Sequence, residues 1–115
     1  MKKTVILSGA RTPIGSFLGS LSSIQATSLG ALAIKASVAK SQIDVNDIDQ
    51  VIMGQVLQGG SGQAPARQAS LLAGLSNKIS CTTVNKVCGS GLKAIMMGAD
   101  AIALGTSKSV VCGGM

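Results

Sequence analysis

A chain of 115 residues, 46% hydrophobic and only 12% charged, is long enough and apolar enough to build one compact core, which excludes a disordered polymer. Ten Lys and Arg against four Asp and no Glu give a net charge of +6, but the cations stand singly and Phe17 is the only aromatic residue. A nucleic-acid partner is therefore not expected, because the basic stripe and stacking rings such proteins use are both missing.

The opening MKKTVILSGAR begins like a signal peptide, with two lysines before an apolar run, and stops resembling one at Arg11-Thr12-Pro13, with no small-x-small cleavage site ahead of it. No run reaches the ~18 apolar residues of a membrane span, so no membrane partner is expected and the cytoplasm is the expected compartment. TVILSGA (4–10) is a short continuous apolar run closed by a Pro13-Ile14-Gly15 turn signal, and reads as a buried strand. A loop rich in Ser and Gly follows to about Thr27. LGALAIKASVAK (29–40) has helical spacing with Lys35 and Lys40 outside. DIDQVIMGQVLQ (47–58) carries a second strand and GGSGQ (59–63) a loop. That loop has neither the GxxxxGK pattern nor a strong helix after it, so it is not taken as a phosphate cradle. ARQASLLAGL (66–75) is a short amphipathic helix ending near Gly74, SCTTVNKV (80–87) a β-branched third strand, CGSGLKAIMMGADAIALG (88–105) a long helix, and SVVCGGM (109–115) a fourth strand. Strand alternating with helix at these crossover lengths gives an α/β fold, a mainly parallel mixed sheet covered by helices on both faces. With its last strand freshly begun at residue 115, the chain reads as an incomplete domain.

The 88–105 helix says most about architecture. Only Lys93 and Asp100 are charged along it, and a helix apolar nearly all round is expected to be buried on all sides. Gly91, Ala94, Gly98, Ala101 and Gly105 recur at spacings of three and four, leaving one face almost bare for close backbone approach. Lys93 and Asp100 share a face, the one expected to meet water or to pair.

Three cysteines, Cys81, Cys88 and Cys112, make no paired framework and no CxxC motif, and are expected as free thiols. Cys88 stands apart. It falls where a strand gives way to the long helix, so unpaired N–H groups and the positive end of the helix dipole favour a thiolate there. Gly89 and Gly91 leave room for an acyl group beside the sulfur, and the Cys88 amide can point at a developing oxyanion. The bland alternative is a small buried hydrophobe, the fate of most free cysteines and the one assigned to Cys81 and Cys112.

VNKVCGSGLKA (84–94), with SGARTPIGSF (8–17), VIMGQVLQ (51–58), APARQAS (64–70) and VVCGGM (110–115), resembles the N-terminal part of a thiolase across the whole chain and in order. The resemblance implies a thiolase fold of two similar α/β halves, residues 1–115 forming an incomplete N-terminal domain whose nucleophile-bearing helix packs centrally against its counterpart. It implies an acyltransferase in which Cys88 takes the acyl group of one acyl-CoA as a thioester and a second acetyl-CoA attacks it in a Claisen condensation, with thiolysis in reverse. A histidine, a second cysteine and a water-holding asparagine complete the family's chemistry and lie beyond Met115, so the fragment alone is expected to be inactive. The resemblance makes coenzyme A thioesters the expected substrates. No cofactor is expected, and no residue is assigned to binding one or a metal. A homo-oligomer, dimer or tetramer, is implied, with APARQAS and the strand before Cys88 near the contact. Two other classes compete: a non-catalytic module that binds a partner or its own copy, and a metal or redox site, for which the cysteine spacings promise no convergent ligands.

Overall fold

A computed structural model describes residues 1–115. Helix α1 (Ala26–Ser41) forms where Thr27, Gly30, Ala31, Ile34 and Val38 repeat every three or four positions and bury one stripe, with Lys35 and Lys40 exposed opposite. A 3₁₀ turn (Val45–Asp47), capped by Asp44, leads into strand β1 (Gln50–Gly54). Helix α2 (Pro65–Leu72) starts with Pro65 in its first turn, where a missing N–H is no loss, after Ala64 in a left-handed conformation. Strand β2 (Ser80–Val84), helix α3 (Ser90–Ala103) and strand β3 (Val110–Gly114) complete the order.

The three strands pair in the order β2-β1-β3, all parallel, with Gln50 opposite both Ser80 and Val110. β1 is the centre and is buried from Val51 to Gly54. Its side chains alternate. Val51 and Met53 point into the main core with Ala31, Ile34 and Val38 of α1 and Ala66 and Ala69 of α2. Ile52 and Gly54 point the other way, toward α3. Helices thus lie on both faces of the sheet, as the alternation of elements predicts, with no antiparallel member among its strands.

Two expectations are not met within residues 1–115. Residues 4–10 form no strand: Val5, Ile6 and Leu7 are 62%, 81% and 58% exposed. The segment is held by Lys2 N–H to Ala103 O, Thr4 Oγ1 to Ala99 O and Ser8 Oγ to Ser37 O, which tether it to the helices, and a cavity of about 560 Å³ separates it from the edge of β3. Strand structure needs a ladder neighbour, and an apolar run without one stays irregular. Nor is α3 buried all round. Only Ser90, Ala94 and Gly98 are fully covered, while Leu92, Ile95 and Met96 are 65%, 42% and 52% exposed. Its bare face meets the sheet and its bulky face is open.

Candidate active site

The bare face of α3 sets how closely its first turn approaches the strands. A Cβ placed on Gly54 would stand 2.6 Å from the Ser90 carbonyl carbon and 2.8 Å from Gly91 N, and one on Gly114 would stand 3.4 Å from Gly91 Cα. Glycine at the end of β1 therefore lets the start of α3 rest on the carboxyl ends of the strands, where ligands bind in open α/β sheets, while a Cβ at the end of β3 would make only ordinary contact.

Cys88 is placed there, in the turn from β2 to α3, and is exposed. The helix begins at Ser90 with Gly89 as its cap, so Cys88 lies one residue outside it rather than in its first turn. The N–H groups of Cys88, Gly91 and Leu92 find no acceptor in the chain, and no side chain caps the helix. Uncovered donors at the start of a 14-residue helix are positioned to receive negative charge.

The turn itself is tightly drawn. Gly89 N–H donates to Lys86 O at 3.0 Å and Ser90 N–H to Val87 O at 3.1 Å. Val87 takes φ +48, a left-handed conformation that for a β-branched residue is a genuine outlier and costs about 1–3 kcal/mol. Asn85 Oδ1 accepts from Val87 N–H at 2.9 Å, and Ser90 Oγ donates to Val87 O at 2.6 Å. The sequence offered one clue to this: Asn is a frequent turn former through its own side chain. Nothing in the spacing pointed to Ser90.

The other two cysteines lie elsewhere. Cys81, half-buried, packs beneath α1 and α2 with the core, and Cys112, half-buried on β3, lies against Gly98 of α3. Burial pushes the Cys112 thiol above its ordinary range, with a backbone hydrogen bond from Gly98 acting in the opposite sense. No three of the chain's Cys and Asp side chains converge. No helix is long and apolar enough to cross a membrane.

The turn thus sets an exposed thiol and free N–H groups above the carboxyl ends of a parallel α/β sheet. Residues 4–115 match the family model described as "Thiolase, N-terminal domain", and the chain belongs to that family. Among its relatives, an acetyl-CoA acetyltransferase of Escherichia coli is 55% identical over 115 residues, 100% of this chain and 29% of the relative. A human mitochondrial acetyl-CoA acetyltransferase is 53% identical over 115 residues, and acetyl-CoA acetyltransferase 2 of Arabidopsis thaliana is 54% identical over 110, 96% of this chain. The chain spans 27% of the length of each of these last two.

Proposed function

We propose that Cys88 is the acyl-accepting nucleophile of a thiolase that condenses two acetyl-CoA molecules to acetoacetyl-CoA and CoA, or runs the reverse thiolysis. The observation that carries this is the exposed Cys88 on the β2–α3 turn, with three unpaired N–H groups beside it. The likeness to acetyl-CoA acetyltransferases supports the substrate class.

The Cys88 sulfur attacks the thioester carbonyl, the carbonyl electrons move onto oxygen, and the intermediate collapses with loss of the CoA thiolate. An unpaired N–H just before or within the first turn of α3, that of Cys88 foremost, stabilises the oxyanion, a contribution of about 3 kcal/mol where such donors are removed in other enzymes. The carbanion of a second acetyl-CoA then attacks the acyl-enzyme and returns the thiolate. Residues 1–115 contain no histidine; in this reading the histidine that activates Cys88 and the second cysteine that deprotonates the second acetyl-CoA, both implied by the resemblance, come from outside them. A homo-oligomer belongs to the same proposal. Leu71 and Leu72 of α2, 43% and 61% exposed, lie in the region the resemblance places near the contact.

The test is mass spectrometry of the intact protein after brief exposure to acetyl-CoA, with an acetyl adduct expected on the peptide that contains Cys88. Cys88→Ser should fold normally and lose turnover, since a hydroxyl is far less ionised than a thiol. Cys81→Ser and Cys112→Ser should lose some stability and keep turnover. Undiminished turnover in Cys88→Ser would dismiss this nucleophile.

A further inference from the structure

Ser90 is 4% exposed and is the first residue of α3, yet its hydroxyl does not serve its own helix. A capping serine stands one position earlier and accepts from N–H groups further along. Ser90 instead reaches backward: Oγ accepts from Lys86 N–H at 2.9 Å and donates to Val87 O at 2.6 Å. From the other side Asn85 Oδ1 accepts from Val87 N–H at 2.9 Å, while Asn85 Nδ2 donates to Val56 O at 3.3 Å and ties the turn to the loop after β1. The N–H and the C=O of Val87 are thus each held by a different side chain. Between them they fix the two dihedral angles that a valine would otherwise move out of the left-handed region.

We propose that Asn85 and Ser90 are positioning residues, a two-sided clamp that keeps Val87 left-handed and thereby aims the sulfur of the next residue, Cys88. The proposal rests on the reading of Cys88 as the acyl-accepting nucleophile. Attack requires reacting atoms about 3–3.5 Å apart and aligned, and a misplacement of about 1 Å can cost about 100-fold in rate. Val87 is the hinge directly before the sulfur. Relaxation of its φ to a negative value swings Cys88 away from the glycine-lined ends of β1 and β3.

The experiment follows single-turnover acetylation of Cys88 by acetyl-CoA in the intact protein, as rate against concentration. Ser90→Ala and Asn85→Ala are expected to lower the saturating rate by about tenfold to about 100-fold with half-saturation nearly unchanged, because aim and not binding is lost. Asn85→Asp keeps the acceptor for Val87 N–H while losing the donation to Val56 O, and should lose clearly less than Asn85→Ala. Val87→Gly added to Ser90→Ala should recover part of the loss, since glycine takes positive φ without a clamp. A rate unchanged in both alanine variants overturns the clamp, and so does a loss that Val87→Gly leaves untouched. If Ser90→Ala does not fold, the exposed Asn85 pair decides alone. Crystal structures of the alanine variants give a second readout: Val87 at negative φ supports the clamp, and Val87 still near +48 overturns it. Should the unsubstituted protein acquire no acetyl group on Cys88, the functional reading falls, and these structures still judge the clamp.

Discussion

Two glycines show how much a single hydrogen in place of a methyl group decides here. At Gly54 the nearest atom to an added Cβ is backbone, the Ser90 carbonyl carbon at 2.6 Å, whereas at Gly98 the nearest is the sulfur of Cys112, the end of a short side chain that can rotate. Gly54→Ala should therefore displace the start of α3 and lower the melting temperature of the intact protein more than Gly98→Ala, each within the range of about 1–3 kcal/mol for overpacking. Cys112→Ala should relieve Gly98→Ala and leave Gly54→Ala unrelieved. A larger loss at Gly98 than at Gly54 would contradict this. Cys112 has a pH signature as well. Its thiol is raised above the ordinary 9.0, so the stability it contributes is complete below that value and is lost as pH rises from about 9 through the folded value. Thermal melts taken across that range should fall more steeply for the parent than for Cys112→Ala.

Among the elements, the three helices and the strands at 50–54, 80–84 and 110–114 were legible in the sequence, the helices from three- and four-residue spacing and the strands from the composition of short apolar or β-branched runs. The 4–10 run was misread for the same reason. Its composition is that of a buried strand, but whether a run joins a ladder depends on which edge lies beside it, and sequence periodicity holds no record of that. The place of Cys88 at the junction of β2 and α3 was legible from its neighbours, while the left-handed turn at Val87 was not, since a left-handed valine contradicts local preference and is held by side chains on both sides. One further device pins the elements together. Asp49 Oδ2 accepts from Lys108 N–H at 2.6 Å and Ser109 N–H at 3.2 Å, fastening the entrance of β3 beside that of β1. These bonds hold the Asp49 carboxyl below its usual range. A depressed value means that its stabilising effect is present above about pH 4 and is lost as pH falls through the folded value. Asp49→Asn should lower the melting temperature slightly at neutral pH and flatten its decline in acid. An unaltered acid profile would count against the contact.

At the scale of the whole molecule, the sheet has unlike sides: a well-filled core beneath α1 and α2, and on the other face a helix whose sheet-facing residues are small and whose outer row is Leu92, Ile95 and Met96. On the proposal that α3 packs against a counterpart from outside residues 1–115, Met96→Lys in the intact protein should bury an unpaired charge and prevent folding or lower the melting temperature sharply. A soluble, unshifted Met96→Lys protein would leave the row at the surface. The parallel ladder also governs how the chain reaches this state. β1 has no neighbour close in sequence: Gln50 pairs with Ser80 on one side and with Val110 on the other. No hairpin can nucleate such a sheet, and pairings this remote close slowly because loop entropy must be met before any ladder forms. On a ribosome adding about 5–20 residues per second, the apolar centre of β1 waits several seconds for its last partner. Through that interval Val51, Ile52 and Met53 stand open to other nascent chains, which makes β1 the segment a chaperone would be expected to shield first.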